Sequence, residues 1–252
     1  MAAQTQTAVV DEVRREVLRA HERLRAVRTQ VLTQQDYITA MSRRVSGAEA
    51  SIRSLQGVQD PAARQTLGRD VAVEMEEARS SGRRAYTIGL EVARDLQAVQ
   101  SSLSQVKADL DGVDRSGATP QERSDLVALA ARVDSMAWAV ALTRPAATAV
   151  TESMLYAEDR ARVVAEQALS SQAPAPADLR PDDLTPLNTD LARAAEVGSH
   201  LQVTSSDSLR TAEVATEHSE LVSEAAHARM SMQQQRELPG EGPGLDSVGP
   251  QW

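Results

Sequence analysis

Stepping alternately three and four residues from Val10 reaches Val13, Val17, Ala20, Leu24, Val27, Val31, Gln34, Ile38, Met41, Val45, Ala48, Ile52 and Leu55. Thirteen of these fourteen positions are apolar, with Gln34 the exception, so an a/d heptad seam runs for seven repeats. A strand repeats every two residues and cannot produce this pattern. Gly57 and the Asp60-Pro61 pair end the segment. The spacing resumes at Val71 and continues through Met75, Ala78, Gly82, Ala85, Gly89 and Val92 to Leu110 and Val113. A third seam runs from Leu126 through Met136, Val140, Thr143 and Ala147 to Ala168. A fourth, weaker one runs from Leu187 to Ala226 and carries Gly198, Ser205, Ser208 and Ser219 at core positions.

The breaks between seams fix the organisation. Gly112, Gly117 and Pro120 mark the second turn, where Thr119 and Glu122 have capping-box spacing. Residues 173–186, APAPADLRPDDLTP, form a Pro/Ala-rich linker that cannot be helical throughout. Helices are expected over about 5–57, 62–114, 120–171 and 186–235. Residues 1–236 then form a single elongated bundle, and the aperiodic segment 237–252 reads as a disordered tail. The fold class is all-α, an antiparallel four-helix bundle with up-down-up-down connectivity. The rival is an extended coiled coil or hairpin that completes its core by dimerising.

Composition agrees with long, closely packed helices. The chain has no Phe, three Tyr and two Trp, whereas compact mixed folds draw on aromatics for bulk. Charge supports the topology independently. Residues 1–60 hold nine basic and seven acidic side chains, and residues 181–252 hold four and twelve. Antiparallel packing sets the Arg14–Arg28 region of the first helix beside Glu213, Glu217, Glu220 and Glu224 of the fourth. Each exposed pair contributes little, but together they favour this register.

Several function classes are disfavoured. Net charge is −9, and Lys107 is the only lysine among 27 basic residues. An acidic chain without a basic stripe or stacking aromatics is a poor nucleic-acid binder, and the Arg bias fits a GC-rich genome. Cysteine is absent, which removes disulfides and thiolate chemistry. No secretory signal or membrane-length apolar stretch is read, so a cytoplasmic protein is the default, with signal-less export open. No phosphate loop, dinucleotide fingerprint or nucleophile elbow occurs. Glu224-Ala-Ala-His227 has the E-x-x-H spacing of di-iron bundles, but those need two such motifs, and both residues fall on outward heptad positions. No cofactor or metal is expected, and the chain is read as a non-enzyme.

Small secreted helical proteins of high-GC Gram-positive bacteria are also Ala-rich bundles, but the motifs of that family are missing. Its W-x-G turn needs a glycine where this chain has Val140. Its Y-x-x-x-[DE] signal needs an acid at positions held by Met41, Leu90 and Arg160.

The functional signal lies in MAWAVALTRPAATAVT, residues 136–151, where Arg144 is the only charge. With Met136 and Val140 in the seam, Trp138 and Pro145 fall at f and Leu142 at c, pointing away from a bundle core. Three readings compete. Pro145 kinks the helix and re-aims Trp138 inward; the patch contacts a partner or a second copy; or it is a lipid-seeking segment, which its shortness and Arg144 oppose. Tyr37, Tyr86 and Tyr156 flank their seams at similar heights along the rod; they either cover the core edge or join Trp138, Leu142 and Pro145 as candidate contact residues. The functions weighed are therefore a protein-contact bundle (scaffold, adaptor, structural or delivery component), a membrane-active bundle, and a carboxylate–histidine metal bundle.

Overall fold

A computed structural model describes residues 2–170 and 179–237, with side chains described for 7–169 and 179–236. Four long helices, α1 (Ala2–Leu55), α2 (Pro61–Asp111), α3 (Pro120–Ser170) and α4 (Thr185–Glu237), make up nearly all of it. At 1.5 Å per residue each is about 75–80 Å long. Each helix packs on two neighbours, in the cycle α1–α2–α3–α4–α1. The antiparallel bundle expected from the seams is the fold. The proposed tail, residues 237–252, lies outside the described residues apart from Glu237, which ends α4. Of the linker, 173–178 also lies outside them, while Pro181–Leu184 is a 3₁₀ turn leading into α4.

The helix ends follow local chemistry. Asp60 does more than stop α1: its carboxylate accepts from the Ala62 and Ala63 amides, at 3.2 and 3.3 Å, and Pro61 occupies the first helical position. At α3 the capping box forms in both directions. The Glu122 amide donates to Thr119 Oγ1 at 3.3 Å, and the Thr119 amide donates to Glu122 Oε2 at 2.7 Å. Arg229 of α4 also clamps Glu122. Burial pushes the Glu122 carboxyl upward, but the Thr119 donors and the Arg229 guanidinium outweigh it and hold it below its usual range.

The seam residues form one continuous core, with Val17, Leu24, Val27, Met75, Leu96, Leu103, Leu129, Met136 and Met154 all fully buried. The weak fourth seam is tolerated because its hydroxyls are satisfied locally. Ser205, Ser208 and Ser219 donate to carbonyls three or four residues back, at 3.0, 2.9 and 2.7 Å. Gln34, the odd residue of the first seam, is fully buried and donates from Nε2 to the Ala85 carbonyl of α2 at 2.9 Å. Its amide lies over Gly89, where a Cβ would come within 2.6 Å of Nε2. A glycine mid-helix costs about 1 kcal/mol relative to alanine, and here it lets the Gln34 amide pass between the helices. The register is fixed at both ends of the rod. Arg14 pairs with Glu220 at 3.7 Å, and Arg160 with Asp190 at 2.6 Å.

Candidate interaction surface

Helix α3 runs unbroken through Pro145, so the proline does not turn Trp138 into the core. Proline removes one donor, the one that would reach the carbonyl of Ala141, and Pro145 itself is exposed, where water can replace it. Trp138 is 68% exposed, Leu142 48% and Tyr156 60%. Trp138 and Tyr156 are eighteen residues apart, which is five turns, so they share one face about 27 Å apart. The inward reading of Trp138 is overturned: Trp138, Leu142 and Pro145 face out, while Met136, Val140, Ala147 and Val150 of the same segment are buried in the core.

The tyrosines separate. Tyr37 sits at the α1–α2 seam, half-buried, with the Arg84 guanidinium 5.6 Å from its ring centroid and a 3.4 Å bond from Arg84 Nη1 to its hydroxyl. Tyr86 is half-buried against the core. Only Tyr156 joins the outer face that carries Trp138, Leu142 and Pro145.

What the sequence reading missed is the contribution of α4. Of fourteen large apolar side chains exposed among the described residues, seven lie on α3 and four on α4 (Val203, Val214, Leu221 and Met232), against one on α1 and two on α2. The exposed apolar surface is therefore one-sided. Thr143 ties the two helices together at this height: its hydroxyl lies 2.9 Å from Ser208 Oγ and bonds the Thr204 carbonyl at 3.2 Å. This register sets residues 143–151 of α3 beside residues 197–206 of α4, which contain no Asp, Glu, Lys or Arg, and sets Trp138 and Leu142 beside Asp207 and Thr211. A signal was available in the sequence, because the apolar Val214 and Leu221 stand seven residues apart, off the fourth seam and on one side of α4.

Two of the charges around this surface are paired to α2, while Asp207 lies on the groove wall. Arg144 reaches back across α3 to the Gln100 side chain of α2. Asp134 is held at 2.6 Å by Lys107, also on α2. Beside Trp138, a groove of about 630 Å³ opens between α3 and α4, lined by Asp134, Ser135, Ala139, Leu142, Thr204, Asp207 and Thr211. A large exposed aromatic beside a groove has the composition of a contact centre.

Helix α3 is also long and apolar enough to cross a membrane. Within Pro120–Leu169 one 18-residue window has mean hydropathy 1.5 and at most two charges, and only 33% of it is buried. This corrects the expectation that no stretch approaches membrane length. The many Ala and Val residues raise the average without any long uninterrupted apolar run.

Other chemistry-bearing side chains also meet across the helices. Among the described residues no three His, Asp or Glu side chains converge as metal ligands. Antiparallel packing does bring Ser223, His227 and Asp11 together. The Ser223 hydroxyl donates to Asp11 at 2.6 Å, while His227 Nδ1 lies 2.8 Å from the Ser223 carbonyl and Nε2 lies 3.4 Å from Asp11. A nucleophilic serine must give its proton to the imidazole. Here the proton is committed to the carboxylate, and Ser223 is only 1% exposed. The trio is a link between α1 and α4. His21 is similar: 12% exposed, with Nε2 3.9 Å from Glu213. Burial, then the nearby Arg25, lowers its pKa.

The chain matches no protein-family model, no curated protein and no solved structure.

Proposed function

We propose that this chain is a non-enzymatic helical bundle that works through protein–protein contacts made by its α3–α4 face, as a scaffold, adaptor, structural or delivery component. The supporting observation is the side-by-side placement of two charge-poor stretches on adjacent helices, with Trp138, Leu142 and Val203 exposed and Arg144 and Asp134 drawn off to α2. Large apolar side chains gathered on one side of a rod are the kind of surface that a partner covers. The packing of Ser223 against Asp11 argues against hydrolysis where Ser223, His227 and Asp11 meet.

A membrane-active reading draws on the hydropathy of α3. Net charge of −9 opposes it, because the anionic lipids of a bilayer surface repel an acidic rod. Site-specific photo-crosslinking in the cell of origin separates the two readings. A benzophenone side chain at position 142 or 203 should give a discrete protein adduct, and one at the exposed Arg28 of α1, diagonally opposite α3, should not. Lipid adducts from positions 142 and 203, or no adduct at all, would refute the protein-contact reading.

A further inference from the structure

We propose that the second half of α4, residues 209–236, is a lid that opens as a unit from α1 and α3, about a hinge at 198–208. The inference stands independently of the protein-contact reading above, because it concerns how α4 is held and not what meets its outer side.

The first part of α4 is anchored by large side chains. Leu187 and Leu201, with Leu184 of the preceding turn, are at most 1% exposed, and Asp190 pairs with Arg160 at 2.6 Å. Beyond Leu201 the buried positions are serine, threonine and alanine, apart from Leu209 and Val222. The helices facing this half bring larger groups. Arg14 with Glu220, and Ser223 with Asp11, set it beside the start of α1. His218 Nε2, 3.3 Å from the Asp125 carbonyl, sets it beside the start of α3. There Val13, Val17, Leu24, Leu129, Val133 and Met136 are at most 1% exposed. Hydrophobic stabilisation scales with apolar area removed from water, so serine and alanine make the lid the lightly held member of this core. Its packing is also incomplete. A crevice of about 30 Å³ lies among Val10, Leu126, Val222, Ala226 and Met230, and Thr216 Oγ1 is buried without a hydrogen-bond partner.

The backbone joining the two parts is weak helix. Nine of the eleven residues 198–208 are Gly, Ser, His, Val, Thr or Asp, all poor helix formers. Ser199, Thr204, Ser205, Ser206 and Ser208 turn their hydroxyls onto carbonyls three or four residues back, a bond that weakens and bends helices. The Thr204 carbonyl also accepts from Thr143 of α3. Weak helix and light packing thus begin together, so bending here frees the lid and leaves the leucine anchor in place. Polar ties latch the far end. Ser223 donates to Asp11 at 2.6 Å, and Arg229 holds Glu122 and, at 2.9 Å, the Gly117 carbonyl. Asp11, Glu122 and Arg229 are partly exposed, so water replaces these ties when the lid lifts.

Native-state hydrogen exchange of the full chain in low urea tests the lid. Buried amides of 209–222 should exchange at least ten-fold faster than those of Val17, Leu103, Leu129 and Leu187, with one shared urea dependence. Equal protection at all these positions would overturn the proposal. So would fast exchange extending through Leu187, which means that α4 opens whole. A gradient toward residue 236 without a shared step is end fraying and would overturn it too. A second readout follows the uncovering of α1. The chain lacks cysteine, so Ala20→Cys and Ala48→Cys, both at buried positions of α1, each carry a single thiol. Position 20 lies under the lid, next to the His21–Glu213 pair, and position 48 lies toward the anchored end. With folding checked by circular dichroism, the thiol at 20 should be modified at least ten-fold faster than the thiol at 48. Equal rates would contradict opening. Exchange uses the natural sequence, so it decides even where a cysteine variant fails to fold.

Discussion

Gly89→Ala and Gly68→Ala are the same substitution in the same helix, and the structure sets them apart. In an unconstrained helix interior, replacing glycine with alanine stabilises by about 1 kcal/mol. At Gly68 a Cβ meets nothing within 4 Å, so that gain should appear in full. At Gly89 the new Cβ would lie 2.6 Å from Gln34 Nε2 and 3.2 Å from Thr151 Cβ. Both neighbours are buried on other helices, so neither can swing into solvent. Moving the Gln34 amide breaks its 2.9 Å bond to the Ala85 carbonyl and strands buried polar groups, at about 1–3 kcal/mol. Overpacking adds about 1–3 kcal/mol. Set against the propensity gain, the net is a loss of about 1–5 kcal/mol for Gly89→Ala. Urea unfolding followed by far-ultraviolet circular dichroism reads both variants, with the midpoint expected to rise for Gly68→Ala and fall for Gly89→Ala. If Gly89→Ala raised the midpoint as well, the Gln34 layer would not be packed as described.

Other outcomes follow from the same contacts. Trp138→Ser/Leu142→Ser should leave the stability of the isolated chain within about 0.5 kcal/mol of wild type by thermal unfolding, because both side chains are exposed. His21 has a lowered pKa in the fold, so below about pH 6.5 the unfolded chain binds the extra proton first. Stability should fall as pH drops below that value and be unaffected above it, and His21→Gln should flatten this part of the urea-midpoint profile. Glu122 titrates below its usual range, so its contribution is present above about pH 4.5 and lost as pH falls through the lower folded value. Arg229→Ala should shrink that acid-side loss and reduce stability at neutral pH, both visible in the same titration.

Much of the fold was legible because a heptad seam is a local code. Val10 to Leu55, Leu126 to Ala168 and the Thr119–Glu122 box each declare a helix or its start from residues within one turn of one another. The side of the rod that carries the contact surface was less legible. Trp138 at an f position permitted an inward or an outward reading, and only a continuous helix through Pro145 decides between them. The share of α4 depends on which residues stand beside Thr143, a register fixed by pairs such as Arg160 with Asp190 and Thr143 with Ser208. The meeting of Ser223 with Asp11, from opposite ends of the chain, is likewise a product of antiparallel packing. Tyr37 and Tyr86 were grouped with Trp138 by height along the rod, but height says nothing about which side of the rod a residue occupies.

The most direct measurement is the emission of Trp138 itself, read in a Trp252→Phe variant across a concentration series from nanomolar to near-millimolar. A side chain 68% exposed in the single chain should emit far to the red when dilute. Blue emission already present in the dilute monomer would contradict the outward placement of Trp138.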